Sequence, residues 1–185
     1  MDTKAEIIKI ADSLMRKKGY NAFSFSDIGR QLHIKNASIH YYFPSKTDLG
    51  VAIVGRHQEG LDDLIKTHVH KDPLKKLNAF LSIYTEAKSE DNICLVGSLA
   101  TDLYTVETQI KTELKKLVDN ILKWVTAILE EGRDKHVFFF DINARTKALM
   151  IITNMLAAVQ LTRLTNRHDF QQIKQTIIND LIKDK

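Results

Sequence analysis

The chain has 185 residues, of which 44% are hydrophobic and 27% charged, so its composition is that of a globular protein rather than a disordered or fibrous one. Two prolines and seven glycines are few, which favours long helices over short strands joined by turns. The single cysteine, Cys94, excludes an intrachain disulfide. The polar N-terminus and the interrupted apolar stretches lead us to expect neither a signal peptide nor a membrane span, and therefore a cytoplasmic protein without a membrane partner.

Positive charge is concentrated in the first 50 residues. This segment has eight Lys and Arg against five Asp and Glu, so it carries +3 of the formal +4 of the chain. A basic end on a nearly neutral body is typical of a protein with a polyanionic partner such as nucleic acid. On charge alone, a chance distribution of these residues explains the pattern as well as a nucleic-acid partner does.

Capping motifs and apolar spacing predict four helices in the N-terminal third. Capping boxes at Thr3–Glu6, Ser24–Asp27 and Ser45–Asp48 predict the starts of the first, second and fourth helices. A short third helix is predicted from about Asn36 to Phe43, because a proline such as Pro44 disfavours helical geometry in the residue before it.

Five further helices are predicted in the rest of the chain. The fifth begins at Asp72-Pro73, the sixth covers roughly Ile93–Tyr104, the seventh Val106–Arg133, the eighth Asn143–Leu164 and the ninth Asp169–Ile182. Gly132 and Phe138–Phe140 predict a loop that packs its aromatic rings inward. The predicted fold class is all-α, with about nine helices and no strands.

Short helices separated by tight turns at positions 24–43 describe a helix-turn-helix unit. Its small apolar core is predicted to comprise Phe25, Ile28, Leu32, Ile34, Ile39 and Phe43. The residues left exposed on the third helix are Lys35, Asn36, Ser38, His40 and Tyr41. Their amine, amide, hydroxyl, imidazole and phenol groups suit contacts with phosphates and base edges.

The run IGRQLHIKNASIHYYFPSKTDL at residues 28–49 resembles the signature of the TetR/AcrR family of transcriptional regulators. The resemblance extends over about residues 3–55, and residues 93–100 resemble a segment in one branch of the family. It implies a helix-turn-helix DNA-binding domain at residues 1–47 and a helical ligand-binding and dimerisation domain at residues 48–185. It further implies a homodimer that binds a double-stranded DNA operator, usually as a repressor, and is released by a small-molecule effector.

The resemblance also assigns residues that contact DNA. These are Ser26 in the second helix, Asn36, Ala37, Ser38, His40 and Tyr41 in the third, and Lys46, which is expected to bind a phosphate. The family more often has alanine at Gly29, glycine at His33 and tyrosine at His40. An imidazole can still donate a hydrogen bond, whereas a side chain at a turn that favours glycine predicts backbone strain at His33.

Several residues of the C-terminal part could line an effector cavity. The candidates are Phe80, Tyr84, Cys94, Tyr104 and Trp124, although such residues at helical spacing are more often plain core. Cys94 is either a redox-sensitive thiol or an inert buried residue. His68, His70 and Asp72 are a weak metal signal, so we expect no metal and no cofactor.

The last two helices are predicted to form the dimer interface. One apolar row of the eighth helix comprises Ile151, Met155, Ala158 and Thr162, and the ninth helix adds Phe170, Ile173, Ile177 and Leu181. We predict a two-fold, four-helix interface from these residues, which holds two DNA-binding units at the spacing of successive major grooves.

Two functions fit these features. The first is a ligand-controlled repressor, and the second is a DNA-binding protein of the same fold that acts in nucleoid or division control without a small effector. An enzyme is not expected, because the sequence shows no nucleophile–base pair, phosphate loop or metal-ligand spacing.

Overall fold

A computed structural model describes residues 2–183, and over this range the chain forms nine α-helices and no strand. The helices are α1 (Thr3–Lys18), α2 (Phe25–Leu32), α3 (Asn36–Tyr42), α4 (Lys46–His68), α5 (Pro73–Ser89), α6 (Leu95–Thr101), α7 (Thr108–Asp134), α8 (Ala144–Leu161) and α9 (Arg167–Ile182), with a short 3₁₀ turn at Tyr20–Ala22. The predicted all-α fold is confirmed. Within residues 2–183, none of the helices is both long enough and apolar enough to cross a membrane.

Side-chain caps fix the starts of the N-terminal helices. The predicted capping box of α2 is present, with Ser24 and Asp27 bonded reciprocally, and the Ser45 amide donates to Asp48 at 2.9 Å where α4 begins. The prediction for α1 was wrong by one residue. Asp2, rather than Thr3, is the N-cap and accepts a hydrogen bond from the Lys4 amide at 3.0 Å, because a carboxylate is an N-cap acceptor at least as good as a hydroxyl.

The first of two compact units comprises the chain as far as Gly60 together with Cys94–Val118. Its buried apolar residues come from α1, the helix-turn-helix, α4, α6 and α7, and include Ile7, Ala11, Met15, Ile28, Ile39, Phe43, Leu49, Ile53, Leu99 and Ile110. Ser98 of α6 is buried and donates to the Met15 carbonyl of α1 at 2.7 Å. The limits of this unit differ from the domain boundary predicted at residue 47. Helix α4 continues past that residue, and residues 94–118 pack within the unit.

The second unit comprises Leu61–Ile93 and Asp119–Lys185. Its core includes Leu77, Phe80, Leu81 and Tyr84 of α5, Val125 and Ile128 of α7, Ala148, Ile151 and Met155 of α8, and Phe170 and Leu181 of α9. The predicted inward packing after α7 is confirmed for Phe138, which is buried against Gly132. The Phe139 amide then donates to the Leu181 carbonyl at 2.7 Å and bonds this loop to α9.

The residues predicted for the dimer interface require correction. Ile151, Met155, Ala158, Thr162, Phe170 and Leu181 are at most 3% exposed, and Ile173 and Ile177 are partly buried. The interior of the subunit, where α8 packs against α5 and α9, contains Ile151, Met155 and Ala158 of α8 together with its C-cap Thr162. The exposed row of α8 is a different one, in which Leu149, Thr153, Ala157 and Leu161 recur every four residues.

Candidate nucleic-acid interface

The turn between α2 and α3 depends on an unusual backbone conformation at His33. This residue has φ 56° and ψ 37°, in the left-handed region, and its amide donates to the Gly29 carbonyl. The next amide, that of Ile34, also donates to Gly29, at 3.0 Å. Two amides thus close the end of α2 and reverse the chain into α3, and the predicted strain at His33 is confirmed by its positive φ.

Gly29 lets the start of α3 approach α2 closely. A Cβ at this position would lie 2.8 Å from the Ile34 carbonyl oxygen and 3.0 Å from Asn36 Oδ1. A backbone oxygen cannot move aside as a flexible side chain can, so an alanine here would force the two helices apart. The absence of a side chain at Gly29 therefore sets where Asn36, the first residue of α3, is held.

The outer side of α3 presents the residues assigned to DNA contact. Asn36, Ala37, Ser38, His40 and Tyr41 are all exposed, and the Tyr41 side chain is 83% exposed. Ile39 and Phe43 point to the opposite side and are buried. Ser26 is exposed on α2. The structure thus brings five candidates together on one short helix whose inner side is anchored in the core.

His40 has its imidazole partly engaged within the protein. Its ring packs edge-on against Phe25, with centroids 4.7 Å apart, and its Nδ1 lies 3.3 Å from the Pro44 carbonyl oxygen. With a proton on Nδ1, this nitrogen donates to Pro44 and Nε2 remains for an outside partner. In that tautomer Nε2 is an acceptor, whereas the other tautomer has Nε2 as a donor.

The Lys46 ammonium packs against residues of its own chain rather than extending into solvent. Its Nζ donates to the Phe23 carbonyl at 2.5 Å and lies 4.4 Å from the centroid of the Phe23 ring and 4.7 Å from that of Tyr20. Partial burial lowers the pKa of Lys46, and the carboxylates of Glu107 and Asp102 oppose that shift. The phosphate contact stays a prediction that relies on the two remaining N–H groups of the ammonium.

Two basic residues of α1 and α2 were not among the sequence candidates. Lys4, in the first turn of α1, has its Nζ 5.9 Å from the centroid of the Phe43 ring, at the end of α3. Arg30 on α2 keeps most of its side chain exposed beside Asp27. No local pattern marks Lys4 as a neighbour of α3, because the two are brought together only by the packing of α1.

Three of the five candidate effector residues pack together. Phe80 and Tyr84 are buried edge-to-face with centroids 5.5 Å apart, and Trp124 packs edge-on against Phe80 at 6.2 Å, all within the second unit. Tyr104 is 96% exposed, so its assignment to a cavity was wrong. It lies in the turn after α6, where its neighbours Asp102 and Thr105 take part in hydrogen bonds and the phenol ring does not pack inward.

Cys94 belongs to the first unit, whereas Phe80, Tyr84 and Trp124 belong to the second. Burial raises the pKa of the Cys94 thiol, which disfavours the thiolate that reacts with oxidants. An open cleft of about 880 Å³ lies between the starts of α4 and α7 in the same unit. It is lined by Ser45, Thr47, Asp48, Val51, Glu107, Thr108, Gln109, Thr112 and Glu113, none of which was a ligand candidate. Among residues 2–183, no three His, Cys, Asp or Glu side chains are grouped to hold a metal ion.

Comparison with known proteins identifies the family. The family described as "Bacterial regulatory proteins, tetR family" matches residues 7–53, which contain the helix-turn-helix. A TetR transcriptional regulator from Legionella pneumophila is 30% identical, with 98% of each chain covered and a TM-score of 0.86. The chain belongs to the TetR family of transcriptional regulators. Helix α3 lies within the matched segment and is the second helix of its helix-turn-helix.

Two further proteins are similar to this chain at lower identity. The transcriptional repressor NemR of Escherichia coli is 19% identical over 145 residues, which cover 75% of this chain and 73% of NemR. The regulator FadR of Bacillus subtilis, solved in complex with stearoyl-CoA, is 16% identical, with 97% of each chain covered and a TM-score of 0.73. At these identities the likeness to FadR concerns the fold alone.

Proposed function

We propose that this protein is a cytoplasmic, homodimeric repressor that binds a two-fold symmetric operator and is released from it by a small-molecule effector. The observation that carries the DNA-binding part is the arrangement of α3. Its inner side is fixed by buried Ile39 and Phe43, while Asn36, Ser38 and Tyr41 remain exposed. A helix anchored in this way can enter a major groove without rearrangement.

Within this proposal the residues of α3 have different roles. Asn36 can accept and donate at once, so it can pair bidentately with adenine, and Ser38 can donate to a base or a phosphate. The DNA phosphate backbone is contacted by Ser26, His40, Tyr41 and Lys46. Ala37 packs against a sugar or a thymine methyl group. Base contacts would supply the sequence preference, and phosphate contacts would supply most of the affinity.

The second subunit is proposed to pack on the exposed row of α8. Leu149 and Leu161 are large apolar residues that remain exposed in the single chain, Leu161 by 57%, and the small Ala157 lies between them. Thr153 belongs to the same row and is compatible with close helix approach. A copy of this chain offers the matching row by symmetry, and half-buried Ile173 and Ile177 of α9 can extend the contact.

The effector is proposed to bind in the second unit beside Phe80, Tyr84 and Trp124. A cluster of three aromatic rings suits an apolar or aromatic compound, and FadR shows that a protein of this fold can be solved with an acyl-CoA bound. Trp124 is the one tryptophan of the chain, so its fluorescence reports on this cluster alone.

The repressor proposal is tested by a footprint repeated with a panel of metabolites while Trp124 emission is followed. A compound that shifts the emission and removes the footprint over the same concentration range supports an effector-released repressor. A footprint that no compound changes, with constant emission, would favour a DNA-binding protein without an effector. Absence of any footprint would contradict both.

A further inference from the structure

The segment between α1 and α2 is held by residues from far along the chain. This α1–α2 connector, Gly19–Phe23, donates hydrogen bonds to the turn that follows α6. Asp102 Oδ2 accepts from the Tyr20 amide at 2.7 Å, and Asp102 Oδ1 accepts from the Asn21 side chain at 3.2 Å. The same Asn21 amide donates its second hydrogen to Thr105 Oγ1 at 2.6 Å. All of these residues lie within the first unit.

The backbone of the connector is shaped to admit the Asp102 carboxylate. Gly19 has φ 95°, which L side chains rarely adopt, and a Cβ there would lie 3.1 Å from Asp102 Oδ2. Tyr20 is buried, and its hydroxyl donates to Glu107 Oε2 at 3.1 Å. Burial and the Glu107 carboxylate together raise the pKa of Tyr20 to about 12. The connector is therefore bonded through its backbone and through two side chains.

The connector leads directly into the helix-turn-helix. Phe23 ends it, and the next residue, Ser24, is the N-cap of α2. The Phe23 carbonyl accepts from Lys46 of α4, so the connector is bonded on one side to α4 and on the other to Asp102. A change in the connector would alter where α2 begins, and the tight turn at His33 passes that change on to α3.

We propose that Asp102 is a positioning residue for operator recognition: from outside the helix-turn-helix, its carboxylate fixes the α1–α2 connector and thereby the placement of α2 and α3 on DNA. The inference rests on DNA binding by α3 as proposed above. Asp102 does not touch DNA in this account, and its effect is exerted through Tyr20 and Asn21.

The charge of Asp102 and its proposed positioning role predict opposite changes in DNA affinity when the carboxylate is removed. Removing a negative charge from a DNA-binding protein strengthens its binding to a polyanion, on every sequence alike. A positioning role predicts weaker binding on the correct sequence only. The ratio of specific to non-specific affinity therefore separates the two effects.

The experiment uses a duplex selected by the full-length wild-type protein from a random-sequence library, and a non-selected duplex of equal length. We expect Asp102→Ala to bind the selected duplex about tenfold more weakly, since a charge-assisted hydrogen bond is lost, and the other duplex no more weakly. Asp102→Asn, which keeps one oxygen as acceptor for the Tyr20 amide but replaces the oxygen that accepts from Asn21 by an NH₂ group, should recover only part of the loss. Glu59→Ala, which removes an exposed charge on α4, should bind the selected duplex no more weakly than wild type.

Amide hydrogen exchange gives a second readout that requires no DNA. Residues 20–23 should exchange faster in Asp102→Ala and Asn21→Ala than in the Glu59→Ala control. Equal or tighter binding of Asp102→Ala to both duplexes, or unchanged exchange, would overturn the proposal. If Asp102→Ala does not melt cooperatively, Asn21→Ala decides by the same two measurements, since it leaves the Tyr20 amide bond in place. If the wild-type protein selects no sequence, operator binding itself is refuted, while exchange still tests the connector contact.

Discussion

At the scale of single residues, the backbone conformation of His33 destabilises the helix-turn-helix locally. Its backbone has φ 56°, where the Cβ of an L residue lies too close to the following carbonyl oxygen, at a cost of about 1–2 kcal/mol. The side chain is exposed, so packing does not offset this cost. Glycine adopts the same conformation without the clash, although it loses more backbone entropy on folding.

Replacing His33 by glycine should therefore stabilise the protein. We expect His33→Gly to raise the free energy of unfolding by about 0.5–1 kcal/mol in a urea titration, with an unchanged slope. His33→Ala is the matched control, because it removes the imidazole and keeps the Cβ, and it should give no such gain. Equal stabilisation by both variants would show that the side chain, not the backbone, is the cause.

Whether the conformation and contacts of a residue could be predicted from the sequence depended on how far apart in the chain the interacting residues lie. The capping box of Ser24 and Asp27 and the turn at His33 were predictable because each involves residues within a few positions of one another. The orientation of Lys46 was not, since its ammonium is held by the carbonyl and ring of Phe23, 23 positions earlier in the chain.

At the scale of elements, α7 ends where the Phe138 ring covers Gly132. A Cβ on Gly132 would overlap that ring, which is itself buried and cannot swing out. Gly132→Ala should lower the free energy of unfolding by about 1–3 kcal/mol, the usual cost of overpacking. Gly60→Ala is the control, because Gly60 of α4 has open space around its Cα, and it should stabilise by about 0.5–1 kcal/mol. Thermal unfolding that moves in the same direction for both would contradict this account.

Helix α8 illustrates why an element can be predicted while its orientation cannot. Its limits were predicted within a few residues from caps and spacing. It has apolar residues around most of its circumference, so periodicity alone could not decide which row faces α5 and α9. The sequence pattern favoured the row that contains Ala158, which the structure places inside the subunit, and left the row of Ala157 as the exposed one.

At the scale of the whole molecule, substitutions of two neighbouring alanines on α8 distinguish an effect on subunit assembly from an effect on folding. Ala157→Arg places a charge on the exposed row and should yield a folded monomer in sedimentation, with operator affinity near the non-specific level. Ala158→Arg places the same charge at a buried position and should instead lower the melting temperature markedly or prevent folding. A dimeric Ala157→Arg that binds DNA normally would locate the subunit contact elsewhere.

The overall organisation was only partly predictable. The order and number of helices followed from local signals along the chain, and the family from the signals in its N-terminal third. The division into compact units did not, because Cys94–Val118 joins the N-terminal helices through contacts such as that of Ser98 with the Met15 carbonyl, 83 positions apart. Such long-range contacts leave no periodic trace in the sequence.

The central claim, that α3 reads a DNA sequence, is tested most directly by Asn36→Ala. The exposed Asn36 begins α3 and can pair bidentately with adenine. On the duplex selected by the wild-type protein the variant should lose on the order of 1–3 kcal/mol of binding free energy, and much less on non-selected DNA. A repeated selection with the variant should relax the preference at one symmetric pair of positions. Equal losses on both duplexes, with an unchanged selected sequence, would contradict sequence reading by this helix.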